Sequence, residues 1–121
     1  MSRILIIDDS ETVCTKLRRN LIMLQHTVVV KYNSLDGIRD LDAIFPDLVV
    51  LNVSNNEMDV YDIIEVIRRL SLSIPILILA DEKSDEEYIK GINHGADDVI
   101  LKTDFEYIIG RIEACLTLKD L

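Results

Sequence analysis

Five short runs of Ile, Val and Leu constrain the fold of this chain more than any other feature: Ile4 to Ile7, Val28 to Val30, Leu48 to Leu51, Ile76 to Leu79 and Val99 to Leu101. Each is nearly continuous in apolar character, whereas a strand with one wet face alternates. Continuous runs of this length belong to strands buried on both faces, as in a parallel sheet covered by helices. Parallel neighbours cannot be joined by a tight turn and need a crossover, and the segments between the runs carry helical patterns.

Ser10 is placed to cap a helix carrying Val13, Leu17, Leu21 and Leu24, and Ser34 to cap one carrying Leu35, Ile38 and Leu41. Tyr61, Ile64, Ile67 and Leu70 mark a third stripe with Ile63 and Val66 beside it. Ser84 and Glu87 form a capping-box pattern ahead of Ile89 and Ile92, and Phe105, Ile108, Ile109, Ile112 and Leu116 mark the last helix. Alternating strands and helices with right-handed crossovers predict an α/β domain, doubly wound and three-layered. Five such units fit the flavodoxin-like parallel sheet of order 2-1-3-4-5, whose ligands bind beyond the carboxyl ends of the first and third strands.

At 121 residues the chain suits one domain, spanning 1–121. No apolar run approaches the roughly 18 to 20 residues needed to cross a bilayer. Met1-Ser2-Arg3 leads into a run that turns polar at Asp8, too soon for a signal peptide, so a cytoplasmic location is expected. The formal net charge of -9 repels phosphate backbones and argues against direct nucleic-acid binding. Cys14 and Cys115 lie far apart with no zinc-ligand spacing and read as reduced core residues. His26 and His94 read as surface groups, and Asp81-Glu82 and Asp97-Asp98 as loop and helix-start charges.

The ends of the strands carry the chemistry. The first run ends in Asp8-Asp9, the third in Asn52, and the fifth runs into Lys102. Two carboxylates, a third polar group and a lysine at a topological switch point outline a magnesium-assisted phosphoryl-transfer site, but the third group is an amide. Asp8-Asp9 could also be simply a turn and cap.

Asp8-Asp9, Pro46-Asp47-Leu48-Val49-Val50-Leu51, Met58-Asp59, Pro75-Ile76 and Gly95-Ala96-Asp97-Asp98 followed by Lys102 together resemble the receiver domain of bacterial response regulators, over essentially the whole chain. The resemblance implies that Asp8 and Asp9 help hold magnesium, with a backbone carbonyl from Ser54. It implies that Asn52 occupies the position of the aspartate that accepts phosphate from a histidine kinase. Ala80 matches the Ser or Thr that hydrogen-bonds the phosphoryl group, and Lys102 the family's lysine. Thr103 stands where a proline usually follows in a cis peptide, Val99 where an aromatic switch residue sits, and Val60 where a glycine is usual.

These departures predict a degenerate phosphorylation pocket. The lone pair of an amide nitrogen is delocalised into its carbonyl, so Asn52 is a very poor nucleophile, and Ala80 offers no donor. Losing one negative charge predicts weak magnesium binding at best. A cis bond costs roughly 3 to 4 kcal/mol without proline, so Lys102–Thr103 is expected to be trans. The expected role is an atypical receiver, not an enzyme, that works as a protein-interaction or regulatory module without phosphorylation at Asn52.

An alternative is an ordinary phosphoacceptor receiver with an engineered Asp-to-Asn change at 52, although one swap leaves Ala80, Thr103, Val60 and Val99 unaccounted for; reading codon 52 in the source gene decides it. A flavin- or nucleotide-binding module on the same fold is disfavoured, because Asp8-Asp9-Ser10-Glu11 repels bare phosphate and no Gly-x-Gly occurs.

The resemblance also places the partner surface on the fourth predicted helix, fifth strand and fifth predicted helix, at Ser84 to His94, Asp97 to Leu101 and Asp104 to Leu121. The expected partners are a histidine kinase, a downstream output domain or a second copy in a homodimer. Tyr107, Ala114, Leu118 and Leu121 form a second apolar stripe on the last helix, and the absence of a stop signal after Leu116 suits a chain continuing into a linker.

Overall fold

The computed structural model describes residues 2–52, 59–82 and 84–119. The elements run β1 (Arg3–Asp8), α1 (Glu11–Met23), β2 (Thr27–Lys31), α2 (Ser34–Arg39), α3 (Leu41–Ile44), β3 (Leu48–Asn52), α4 (Val60–Leu70), β4 (Ile76–Ala80), α5 (Asp85–His94), β5 (Asp98–Leu101) and α6 (Phe105–Lys119). All five strands pair in parallel in the order β2-β1-β3-β4-β5, as the apolar runs predict.

The pleat sends alternate residues of each strand into two separate cores. Ile4, Ile6, Leu48, Val50, Leu77 and Ile100 pack against α1 and α6, where Leu17, Leu21, Ile108 and Ile112 meet them. Leu5, Ile7, Val49, Leu51, Ile76 and Val99 pack on the other side against α3 and α4, through Leu41, Ile63, Ile64 and Ile67. Two dry faces explain why the runs do not alternate. Cys14 and Cys115 are free thiols inside the first core, and burial is the main influence pushing both above their ordinary pKa.

Several local expectations need correction. The second predicted helix is two pieces broken at Asp40, whose backbone leaves helical geometry and whose carboxylate takes Lys31 and Arg39. Its cap is Asn33, accepting from the Asp36 N–H at 2.9 Å, and Ser34 lies buried in the first turn. Ser10 occupies the cap position of α1 without a side-chain cap bond; its own N–H donates instead to Asp8. Leu24, Leu35, Leu70 and Ile89 are exposed, since the first is beyond the last turn of α1, the next two sit at helix ends, and α5 touches the sheet along a narrow line at Gly91. Ser84 does cap α5, accepting from the Glu87 N–H at 3.1 Å, but the Glu87 carboxylate turns elsewhere.

The acidic and histidine residues read as surface groups are mostly tied into the structure. Asp98 is buried at the start of β5 and holds the Arg111 guanidinium of α6 at 2.8 Å. Asp97 accepts from the Ile76 N–H at 2.8 Å and from Arg68 at 2.9 Å. Arg68 also donates to the Gly95 and Ile74 carbonyls at 2.9 and 2.6 Å, so one guanidinium joins the end of α4 to the starts of β4 and β5. His26 is nearly buried, with Nε2 2.6 Å from Glu113 of α6 and Nδ1 accepting from the Ser2 N–H.

Candidate functional site

Parallel pairing puts Asp8 at the end of β1 directly opposite Asn52 at the end of β3. Both side chains are buried, with Asp8 fully enclosed. The Asn52 amide nitrogen donates to Asp8 Oδ1 at 2.9 Å, and the Ser10 N–H donates to the same oxygen at 2.7 Å. Asp8 is an acceptor when ionised, which fixes the Asn52 nitrogen on that side. Asp8 Oδ2 has no partner among the described residues. Burial drives the Asp8 pKa upward; the Ser10 and Asn52 hydrogen bonds and Lys102 oppose it, and the nearby Asp9 charge adds to it. The backbone closes the same corner, where the Asp9 N–H donates to the Asn52 carbonyl at 3.3 Å.

Ala80 ends β4 and pairs with Leu101 of β5. Its carbonyl accepts from the Lys102 N–H at 2.9 Å, so Lys102 follows β5 at the same rim as Asp8 and Asn52. The Lys102 ammonium forms an ion pair with Asp81, which lies in the loop after β4. No cis peptide occurs among the described residues, so Lys102–Thr103 is trans as expected. Ser54 and Met58 lie outside the described residues, and Asp59 caps α4 through the Tyr61 N–H at 2.8 Å. Among the described residues no cluster of three or more His, Cys, Asp or Glu side chains is arranged to hold a metal.

Beside Asn52 a cleft of about 210 Å³ opens between β4, β5, α4 and α5, lined in part by Ala80, Val99, Ile78, Tyr61, Asp81 and Glu87. Tyr61 spans it: its hydroxyl donates to Glu87 at 3.0 Å, the Lys90 ammonium lies 4.4 Å over its ring, and the His94 ring packs against it in a tilted arrangement with centroids 4.7 Å apart. Burial, then the hydrogen bond to Glu87, pushes the Tyr61 hydroxyl up to about 12. The apolar stripe of α4 points to Tyr61 as a core residue, and the sequence alone gives His94 no partner. The missed signal was the spacing of Glu87, Lys90 and His94, which shares one face of α5.

The model of the response regulator receiver domain matches residues 4–113. The chain belongs to that family. Among curated relatives, this receiver is 34% identical over 118 residues to response regulator MprA of Mycobacterium sp. (strain KMS), covering 94% of the chain and 50% of the relative. It is 29% identical over 100 residues to the alkaline phosphatase synthesis transcriptional regulatory protein PhoP of Bacillus subtilis (strain 168), covering 83% and 42%. The chain thus spans about half the length of the curated relatives it matches.

Among solved structures, the BeF3-activated N-terminal receiver domain of Klebsiella pneumoniae RstA superposes with a TM-score of 0.86 at 26% identity, covering 94% of this chain and 97% of that one. A CheY-like receiver from Methanospirillum hungatei JF-1 gives 0.90 at 20% identity, covering 99% and 97%, which shows the fold. This receiver is therefore a two-component signalling module of CheY-like fold, and no described helix is long and apolar enough to cross a membrane.

Proposed function

We propose that this receiver acts as a regulatory protein-interaction module that takes no phosphate at Asn52. The observation that carries the reading is the hydrogen bond from the Asn52 amide to Asp8. A carboxylate facing Asp8 at that distance would need a metal ion or a shared proton between the two oxygens; the amide supplies an N–H and needs neither. The same amide cannot attack phosphorus. Ala80 has no hydroxyl to hold a transferred group, and Lys102 is engaged with Asp81.

Magnesium fits this donor set poorly. The ion wants near-octahedral oxygen ligands, and here Asp8 Oδ1 already accepts two hydrogen bonds while Asn52 turns its nitrogen to the site. Asp8 Oδ2, Asp9 and the Ser54 carbonyl would offer weak binding only, and no step of the reading runs through a metal.

Receivers work with histidine kinases and output domains, and the greater length of the relatives supports a place at the amino-terminal part of a longer cytoplasmic regulator. The face made by α5, β5 and α6 is the partner surface in this reading. Tyr107 and Leu118 are exposed on α6, in keeping with the second apolar stripe, while Leu121 lies outside the described residues. Sedimentation of the wild type and Leu118→Glu would test a homodimer there: a dimer weakened by the charge is expected, and a monomeric wild type would leave the surface to other partners.

The central test treats the protein with acetyl phosphate, or with a beryllium fluoride mimic, in magnesium. The expected result is an unchanged intact mass and unchanged amide NMR spectrum. A phosphoryl mass increment mapped to this pocket would overturn the reading.

A further inference from the structure

The cleft beside Asn52 has a chemistry that points to an occupant. Its floor is apolar, formed by Ile78, Ala80 and Val99, and its mouth carries the carboxylates of Asp81 and Glu87. The volume of about 210 Å³ equals about seven liquid waters at roughly 30 Å³ each, enough for a short organic molecule. Segment 81–90 holds five carboxylates and two lysines, and Lys102 adds one positive charge beside Asp81, so the balance near this rim stays negative and disfavours an anion.

The chain's own ammonium groups show what the rim attracts. Lys102 pairs with Asp81 at one end, and Lys90 lies over the Tyr61 ring at the other. The cleft also borders the contacts that join α5 to β4, β5 and α4. Val99 and Ile78, which line it, are the side chains against which Gly91 seats α5. The Tyr61–Glu87 hydrogen bond ties α4 to α5 across it.

We propose that this cleft is an effector site for a small primary alkylammonium, whose charge takes the place of the Tyr61 hydroxyl on Glu87, beside the Asp81–Lys102 ion pair, and whose stem lies on Ala80 and Val99. The inference rests on the reading that the pocket takes no phosphoryl group. Binding displaces Tyr61 from Glu87 and presses on Val99, so occupancy is transmitted to α5 through the line of contact at Gly91. A ligand then does by volume and charge what an acyl phosphate does in a receiver with the usual residues.

The test is an amide NMR titration of the whole 121-residue chain with butylamine, and with butanoate and 1-butanol as anionic and neutral analogues. Saturable shifts at Ala80, Val99 and Gly91 with butylamine, and weaker or absent effects with the analogues, are expected. Glu87→Gln, an exposed change that leaves the core intact, should weaken butylamine binding about fivefold. Ala80→Leu should fill the floor and abolish it. No saturable shift with butylamine, equal binding of butanoate, or full affinity in Glu87→Gln would overturn the proposal. The acetyl phosphate experiment fails or succeeds separately: phosphorylation would remove the underlying reading, whereas an inert protein that ignores butylamine would remove only the ligand.

Discussion

Gly91 of α5 lies so close to Val99 of β5 that a Cβ built on the glycine would fall 2.6 Å from Val99 Cγ2. Real side-chain contacts do not reach that distance, so the glycine sets how near α5 sits to the sheet. Gly91→Ala should therefore lose stability by on the order of 1 kcal/mol, overpacking of roughly 1 to 3 kcal/mol being offset in part by better helix propensity. Urea denaturation measures it. In a Val99→Ala background the same change should cost less or become favourable, and an identical cost in both backgrounds would show that Val99 is not the obstacle.

Asn52→Asp should make the fold dependent on magnesium. Two buried carboxylates would then face each other at the ends of β1 and β3, and the Asn52 donor to Asp8 would be gone. In metal-free buffer at neutral pH a loss of roughly 1 to 3 kcal/mol is expected, recovered when magnesium is added. The wild type should show little magnesium effect on its melting temperature. Asn52→Asp should still switch poorly, because Ala80 cannot bond a phosphoryl oxygen, and adding Ala80→Thr should improve the response. Full phosphorylation-dependent spectral change in the single variant would contradict this.

The pH dependence of stability should carry opposite contributions from two aspartates. Asp8 has a folded pKa raised by burial above its ordinary 3.8, so the native state holds that proton more tightly than the unfolded chain. Its contribution is fully present below the unfolded value and is lost as pH rises through the folded one. The stability of Asp8→Asn relative to wild type should accordingly climb with pH from about 3.8 upward and level off above the folded pKa. Asp40 runs the other way: Arg39, then Lys31, hold it at about 2, so its contribution is present above the unfolded value and lost as pH falls toward 2. Carboxyl NMR titration resolves the two.

Arg68 should prove the most sensitive of the partly buried cations. Its guanidinium bonds Gly95, Ile74 and Asp97 at once, leaving several acceptors bare if it is removed. Arg68→Ala should cost about 2 to 4 kcal/mol in denaturant unfolding, and Arg68→Lys should recover little, since an ammonium cannot reproduce the planar fork. Recovery by lysine to near wild-type stability would mean that charge alone matters there.

The sheet was legible in the sequence because two dry cores leave no polar residue inside the strands; all five runs fall within β1 to β5. The convergence of Asp8 and Asn52 was legible for the same reason, since both stand where a buried run first meets polar side chains. Helix detail was less readable. Leu35 and Ile89 match a helical period yet face solvent, because a periodic pattern does not say whether another element covers it. Partnerships between distant residues were the least accessible: His26 with Glu113, Asp98 with Arg111 and Tyr61 with Glu87 depend on which helices lie side by side.

The carboxamide at position 52 also bears on time. A receiver that stores its input as an acyl phosphate keeps a covalent record, erased at the rate at which that bond hydrolyses. If Asn52, bonded to Asp8, takes no phosphate as proposed, there is no such record to erase. The duration of a response would then follow from how long a bound molecule stays and how much of it the cell holds, so the module would report present concentration and retain nothing of the past.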